Sequence, residues 1–344
     1  MSKILVDISD IFCIMAQKLS SDAPIRSGAY KSTVRMFFLP SKLFEAQITE
    51  LFDSVWPEIT AIKNLRWQVS GYYNENNIQN IVDLSKKFVE PSDTNNHPNL
   101  YRACIGQTWD EQEFYVTKNL LTNMFAIYEG WIENMLCILH KGRYMAKRFQ
   151  YPLNGNVPNY LSILQDAQLR GNQDLVDCFY EIYKTSNKYY DFHKIDNWLK
   201  LYRYFKEARN CIIHNGGTST SQKTIDAYNE IINLTKEDYG VKELPEIIPP
   251  VTPDRPIELS LRGVVGFSQI LIKLVSTFDV EFIKCEFADE YMLSELRLAQ
   301  PEQFKTDPNR IRNGVNRLLH KGNFKSCSSF EIMYNLLKNA GLMR

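Results

Sequence analysis

The dominant pattern along the chain is a recurrence of apolar residues every three or four positions, which is typical of amphipathic helices. The longest clear example runs from about Glu113 to His140, where the apolar positions keep to one broad stripe. The same pattern predicts further helices at 173–185, from an N-cap at Asp196 to His214, at 220–235 and at 259–278. We therefore predict an all-α protein.

Proline-rich and polar stretches divide these helices. Pro57 is expected to end a first apolar stripe that covers 44–55. The segment 91–99 is polar, bounded by prolines and without periodicity, so it is the clearest candidate for a domain boundary. Five prolines between 244 and 256 exclude a regular helix and predict an extended connection whose apolar residues are covered.

Two more helices are predicted in the C-terminal tail. Asp307-Pro308 is a typical helix start, and Gly322 is a typical helix end. Ser328 and Glu331 have the spacing of a capping box ahead of the last apolar stripe. The helical pattern therefore continues close to the end of the sequence.

The charge balance limits the class of partner. Lysine plus arginine number 40, and so do aspartate plus glutamate, so the formal net charge is zero. Any attraction to nucleic acid must come from local patches, which argues against a general nucleic-acid coat protein.

Cysteine use and hydropathy indicate the compartment. The seven cysteines are odd in number and none forms a C-x-x-C pair, which fits free thiols in a reducing compartment better than disulfides or a zinc site. Asp7 and Asp10 interrupt the apolar stretch at the N-terminus, which is therefore a poor signal peptide. No run of about 18 uncharged apolar residues occurs. We predict a cytoplasmic protein without a membrane span.

One short segment carries candidate chemistry. Arg209 is the single arginine that stands five positions before a histidine, His214, and Asn210 follows it. The spacing alone is a weak signal. Its context adds weight, because the pair lies in the last turns of a long predicted helix that Asn215-Gly216-Gly217 ends.

This segment, preceded by the helix that contains 125–133, resembles the HEPN superfamily, whose R-x4-6-H motif often has a polar residue after the arginine. The resemblance covers about 112–280. It implies a HEPN-like helical bundle, with an N-terminal mainly helical extension at 1–111 and a C-terminal helical extension at 281–344. It also implies a homodimer in which two motifs face one shared cleft. One group of the superfamily has a tyrosine two places after the histidine; Gly216 stands there, which argues against that group.

The resemblance further implies a metal-independent endoribonuclease of prokaryotic antiviral defence or of a toxin–antitoxin system. RNA would be the substrate, no cofactor would be needed, and an activator, inhibitor or antitoxin protein would be a partner. Two alternatives stay open: an inactive HEPN scaffold used for dimerisation, and an ordinary helix end that carries a surface histidine.

The residue types suit this chemistry, because RNA carries its own nucleophile in the 2′-hydroxyl. His214 would transfer protons, Arg209 would hold the phosphate and its developing charge, and Asn210 would orient either group. Products would carry 2′,3′-cyclic phosphate and 5′-hydroxyl ends. At 100° per residue, Arg209 and His214 lie about 140° apart around the helix, whereas Asn210 and His214 share a face. A dimer could combine the arginine of one chain with the histidine of the other.

Other residues near the motif have two interpretations each. Glu129 and Glu133 could position Arg209 by pairing with it, or they could have a solvated or structural role. Cys211 is followed by the apolar residues Ile212 and Ile213, which favours a packed thiol over a nucleophile.

Basic and aromatic residues outside the motif could contact RNA. Otherwise the basic residues form solvated polar faces of their helices, and the aromatic residues belong to the core or to a dimer interface. The basic candidates are Lys200, Arg203 and Lys206 before the motif, and Arg310, Arg317 and Lys321 in the tail. The aromatic candidates are Tyr189, Tyr190 and Phe192.

Overall fold

A computed structural model of the chain describes residues 35–76, 81–88, 98–149, 160–168, 171–215, 220–249, 251–253, 255–299 and 307–343. These residues form helices and loops and contain no β-strand, so the predicted all-α class is confirmed. The α-helices are α1 (Leu39–Asn76), α2 (Ile81–Phe88), α3 (Trp109–Ile138), α4 (Tyr160–Gln168), α5 (Gln173–Leu175), α6 (Glu181–Ser186), α7 (Ile195–Asn215), α8 (Gln222–Ile231), α9 (Lys236–Tyr239), α10 (Leu261–Phe282), α11 (Ala288–Leu298), α12 (Pro308–Lys321) and α13 (Phe330–Asn339). Short π-helical turns cover Arg102–Gly106 and Val176–Tyr180, and 3-10 turns cover Arg143–Phe149 and Phe192–Lys194.

The centre of the fold is made by α1, α3, α7 and α10. Helices α3 and α10 pack against each other and against both α1 and α7. Helices α1 and α3 are antiparallel. Trp131, late in α3, donates its indole N–H to the Ser41 hydroxyl at the start of α1 (3.0 Å). At the other end, the Lys63 ammonium lies 4.5 Å from the ring of Trp109 at the start of α3.

Aromatic rings fill the space between these helices. The Phe125 ring of α3 lies 5.1 Å from Tyr202 of α7, and Phe205 of α7 stacks on Phe267 of α10 at 4.5 Å. Each of these side chains is buried. Burial of such large apolar surfaces is the main stabilising contribution that this pattern of residues can supply.

Helix α10 is long and apolar enough to cross a membrane, as judged by length and composition, and among the described residues it is the one such helix. Most of that stretch is buried against the rest of the protein. Its two glycines allow the proline-rich connection to lie on its surface, because a Cβ at Gly263 would overlap the carbonyl oxygen of Glu246 and one at Gly266 would press on Pro245. Outside Pro250 and Asp254, which the structure does not describe, 244–256 is non-helical as predicted.

A buried carboxyl group holds the beginning of α1. Asp279 of α10 accepts backbone N–H donors from Phe37 (2.6 Å) and Phe38 (3.1 Å), and the Tyr291 hydroxyl accepts the N–H of Leu39 (2.7 Å). Burial raises the pKa of Asp279 to about 6, although these donors and nearby Lys42 favour the charged form. The first N–H groups of the longest helix are thus satisfied inside the core.

The far end of α1 packs into a second, smaller cluster. Val69, Leu84, Leu100 and Cys104 are buried together there. Half-buried side chains surround them: Leu65, Tyr72, Tyr73, Phe88, Tyr101, Ala103 and Ile105. Arg66 closes the cluster by donating to the carbonyl groups of Ala103 (2.8 Å) and Gln107 (2.9 Å). This distal cluster contains far fewer buried side chains than the central core.

Three local predictions at helix ends are wrong. Pro57 does not end a helix but lies inside α1, which continues because its next turns pack along α3 and the distal cluster. Asp196 lies in the first turn of α7 and is not its N-cap, because a 3-10 turn capped by Asp191 precedes it. Ser328 does not form a capping box: its hydroxyl donates to the carbonyl of Cys178 (3.0 Å), and Ser329 is the N-cap position of α13.

Other predicted boundaries fit closely. Asp307 caps α12 by accepting the N–H of Asn309, Pro308 is its first residue, and Gly322 is its C-cap. The predicted helix at 173–185 appears as α5 and α6 joined by a π-helical turn. Residues 91–97 of the predicted boundary segment lie outside the described part of the chain, and the division at 111/112 and 280/281 stays a prediction.

Candidate functional site at the end of the seventh helix

The first turns of helix α7, which precede the motif, are buried against neighbouring helices. Trp198 is fully buried and donates its indole N–H to the carbonyl of Tyr239 (2.8 Å). Tyr202 and Phe205 fill the space against α3 and α10. The helix then continues to Asn215, so its last turns extend beyond these contacts.

Arg209 lies half-buried on the same stripe of α7 as Tyr202, two turns further along. One terminal nitrogen of its guanidinium donates to the side-chain oxygen of Asn210 (3.3 Å). The inner nitrogen, Nε, is buried and finds no hydrogen-bond acceptor among the described residues. No carboxylate of the described residues forms an ion pair with this guanidinium.

The neighbouring cation, Lys206, is already neutralised. Its ammonium lies 3.6 Å from the carboxylate of Glu129 on α3, and burial lowers the pKa of Lys206 while Glu129 opposes that shift. Glu129 pairs with Lys206 and forms no ion pair with Arg209 in the described structure, which fits the structural alternative for this residue. Glu133 is half-buried, and it forms no ion pair with Arg209 in the described part of the structure.

His214 is exposed near the C-terminal end of α7, and Asn210 is half-buried one turn before it. Within the described residues, no hydrogen bond or ion pair engages the imidazole. Arg209 and His214 lie on different sides of the helix, because five residues correspond to about 140° of rotation. One chain thus provides the two groups at one helix end without bringing them together.

Cys211 is buried, in the packed position that its apolar neighbours predicted. Its sulfur lies 3.2 Å from the hydroxyl of Thr224 and accepts the N–H of Ser221 (3.3 Å), which fixes the start of α8 beside the motif. Next in the chain, Thr220 donates its N–H (3.1 Å) and hydroxyl (2.9 Å) to the carbonyl of Arg255. The proline-rich connection therefore reaches the start of α8, where it contributes the exposed Arg255 and, with Thr220, lines a small pocket of about 100 Å³.

The predicted basic stripe along α7 is largely engaged in ion pairs within the fold. Arg203 is mostly buried and lies 3.8 Å from Glu230 of α8, and Lys206 is paired as described. Lys200 is half-buried. Two of the three cations thus connect α7 to its neighbours.

The tail cations lie on α12. Arg310, Arg317 and Lys321 are all exposed, and Arg310 is 3.7 Å from Asp307. Helix α12 packs against α11 and α13. The three side chains share the outer face that their spacing predicted, and their contact with RNA stays a prediction.

The aromatic residues before α7 take part in a buried polar cluster. The hydroxyls of Tyr190 (2.8 Å) and Tyr180 (3.0 Å) both donate to Glu281, whose other oxygen accepts the Lys284 ammonium (2.9 Å). Burial raises the pKa of Tyr190. Tyr189 and Phe192 are half-buried, and the Tyr189 ring lies among several cations of the fold; base stacking by these rings stays a prediction.

One feature of the site, the buried hydroxyl of Tyr202, was not found from the sequence. The Tyr202 hydroxyl is fully buried and has no partner among the described residues, and burial raises the pKa of Tyr202 well above its usual value. Glu129 and Arg209 both act on that hydroxyl electrostatically. The available signal was spacing, since Tyr202 stands seven residues before Arg209 and hence on its face of the helix.

In the part of the chain that is described, no group of three His, Cys, Asp or Glu side chains could hold a metal ion. No family model, no curated protein and no solved structure matches this chain.

Proposed function

We propose that the chain is a metal-independent endoribonuclease of the HEPN type that cleaves RNA by attack of the 2′-hydroxyl on the adjacent phosphate. The observation that carries the proposal is the guanidinium of Arg209, which is half-buried and has no carboxylate partner in the described residues. A protein gains little by desolvating an unpaired cation unless an anion is to bind there. A backbone phosphate supplies such an anion.

The neighbouring residues support the same role. Because Glu129 neutralises Lys206, the guanidinium of Arg209 is the one positive charge of this pair of cations that stays without a carboxylate partner among the described residues. Asn210 accepts a hydrogen bond from Arg209 and thereby orients its planar group. His214 is exposed one turn after Asn210, where a general acid or base can reach solvent and substrate.

The rotation between Arg209 and His214 is the reason to place the reaction between two copies. In a dimer, the arginine of one chain and the histidine of the other could approach the same phosphodiester. His214 would take the proton from the 2′-hydroxyl or give one to the leaving 5′-oxygen, while Arg209 would stabilise the charge on the phosphorane.

We assign the protein to the cytoplasm and to prokaryotic antiviral defence or a toxin–antitoxin system, on the resemblance of the motif. An activator, inhibitor or antitoxin protein would regulate it.

The rival function is a scaffold that uses the same helical bundle for assembly without chemistry. One argument favours the rival: within a single chain, Arg209 and His214 lie about 140° apart around α7.

The test is RNA cleavage in EDTA by the wild type and by His214→Ala and Arg209→Ala, with analysis of the new ends. We expect cyclic phosphate ends from the wild type and a loss of roughly 10²–10⁴-fold in rate for His214→Ala. His193→Ala and Arg262→Ala are matched controls, because both side chains lie outside the site. Equal rates for the wild type and His214→Ala would leave the scaffold as the better explanation.

A further inference from the structure

Helix α1 carries the most exposed large apolar side chain of the described residues. Trp67 is 77% exposed, and Trp56 is 46% exposed eleven residues before it. Eleven residues correspond to about three turns, so both rings lie on one side of the helix. Tryptophan is the residue type that contributes most often to the centre of protein interfaces, so this pair requires an explanation.

Two further residues complete this surface. The half-buried Phe52 stacks on Trp56, with 5.9 Å between the ring centres. The exposed Lys63 lies between the two tryptophans along the helix, and its ammonium also contacts the ring of Trp109 on α3. At 100° per residue, Phe52, Trp56, Lys63 and Trp67 fall within about 60° of one another around the helix. We call these four residues the tryptophan face.

The charges on α1 argue against a nucleic acid as its partner. Four carboxylates of the helix are exposed, and Lys63 is its one exposed cation. The four are Glu50, Asp53, Glu58 and Glu75. A phosphate backbone would be repelled by this balance, although single-stranded RNA does stack on aromatic rings elsewhere.

The order of residues is symmetric about the middle of the helix. Phe52 and Trp67 are equidistant from a point between residues 59 and 60, and so are Trp56 and Lys63. An antiparallel copy of α1 centred at that point would place Phe52 on Trp67 and Trp56 on Lys63. Each two-fold related contact would then be an aromatic pair or a cation–π pair. A self-complementary surface of this kind is what a two-fold interface requires.

We infer that the tryptophan face of α1 is the interface with a second copy of this chain, packed antiparallel along the same helix. With a full surface of roughly 250 Å² for each indole, the two tryptophans alone expose about 300 Å² per copy. A standard interface covers about 800 Å² per partner, so they would supply more than a third of it. This interface is separate from the shared cleft of the proposed function. The contacts of Lys206 with Glu129 and of Trp131 with Ser41 put the motif level with the start of α1, roughly 28 Å along the helix from the centre of the tryptophan face. The inference therefore does not depend on the proposed ribonuclease activity.

The first experiment measures the size of the full chain in solution by sedimentation velocity at several concentrations. We expect a dimer for the wild type. For Trp67→Glu we expect the dissociation constant of the dimer to be at least 30-fold higher, the effect typical of a central interface residue. Leu298→Glu is the matched control, because Leu298 is 73% exposed on α11 and the change adds the same charge. Far-ultraviolet circular dichroism checks that both variants stay folded.

The second experiment tests whether the two copies of α1 lie antiparallel, and it uses variants that keep Phe52, Trp56 and Trp67. Thr49 and Ser70 are also equidistant from the centre. Oxidation of a mixture of Thr49→Cys and Ser70→Cys chains should therefore give a disulfide between the two variants. Thr49→Cys alone should give none, because its copies would lie 21 residues, or roughly 31 Å, apart along the helix. The wild type, oxidised in parallel, reports any contribution from native cysteines.

Several outcomes would overturn the inference. These are a monomeric wild type, a dimer that Trp67→Glu leaves intact, or dissociation by Leu298→Glu as well. A disulfide between two Thr49→Cys chains would exclude the antiparallel pairing. A monomer that binds single-stranded RNA through Trp67 would instead identify a nucleic-acid surface. Loss of RNA cleavage with an intact dimer bears on the proposed function alone, so the two failures can be distinguished.

Discussion

The two ends of α1 lie in different surroundings, although they belong to one helix of 38 residues. At the beginning, Phe44 is buried in the central core and Asp279 accepts the N–H groups that precede the first turn. At the far end, Val69 joins the small distal cluster, while Trp67 beside it is exposed. The first end is held by many tertiary contacts and the second by few.

This difference shows that one helix can belong to regions of unequal stability. Free energies of local opening depend on how many apolar contacts a segment buries. We therefore expect the central core, including the base of α7, to open only with global unfolding. The distal cluster should open separately and at lower cost, which suits a region that presents an interface.

The largest expected effect comes from the core. Phe125→Ala removes a buried ring between Tyr202 and Phe267 and should lower the free energy of unfolding by about 3–5 kcal/mol. Leu43→Ala on α1, where the side chain is half exposed, should change it by no more than about 0.5 kcal/mol. Urea unfolding measures both, and similar losses would remove the distinction between core and surface.

The next effect concerns the buried carboxyl group. The folded pKa of Asp279, about 6, lies above its ordinary value of 3.8, so the native state binds this proton more tightly than the unfolded chain does. Its contribution to stability is therefore present below about pH 4 and is lost as the pH rises to 6, by roughly 2–3 kcal/mol. Asp279→Asn should lack this component. Stability of both proteins between pH 4 and 7 measures it, and parallel curves would refute the assignment.

A smaller effect is expected at the distal cluster. Leu84→Ala should lower the free energy of local opening there by about 2 kcal/mol, at the low end of such substitutions because neighbouring side chains are only half-buried. Hydrogen exchange should show reduced protection for the amides of Arg102–Gly106 and unchanged protection for α10. An equal loss in α10 would show that the two regions unfold together.

The smallest effect comes from single hydroxyl groups. Tyr202→Phe removes a buried hydroxyl without a partner in the described residues and should raise the free energy of unfolding by up to about 1 kcal/mol. Tyr180→Phe removes a hydrogen bond to Glu281 and should lower it by about 1 kcal/mol. Thermal unfolding of both variants gives the two signs, and a loss of stability for Tyr202→Phe would reveal a partner for its hydroxyl.

Much of the helical architecture could be predicted because it depends on local order. The apolar stripe of α3 and the start of α12 at Asp307-Pro308 depend on neighbours within four residues. Where tertiary contacts outweigh local preference, the predictions are wrong. Pro57 weakens a helix locally, but packing along α3 continues α1 beyond it. Ser328 has the spacing of a cap, yet its hydroxyl donates to the carbonyl of Cys178, 150 residues away.

Some features of the candidate site could likewise be predicted from local sequence, and others depend on tertiary contacts. The sequence indicated which residues end α7 and that Arg209 and His214 lie on different sides of it. It could not indicate which cation of α7 would pair with Glu129 of α3, because ion pairs between these helices depend on how two segments distant in sequence align. For the same reason, only the folded chain shows that Arg209 has no carboxylate partner among the described residues.

The sequence by itself determined the helices, their apolar faces and the residues available for chemistry, since periodicity and capping act over a few positions. Tertiary structure alone decided that Asp279 holds the start of α1, that Lys206 takes Glu129, and that two tryptophans remain exposed. The contacts of Asp279 and of Lys206 join residues more than 75 positions apart. The two tryptophans remain exposed because none of the described helices covers them. Local sequence carries no information about these three outcomes.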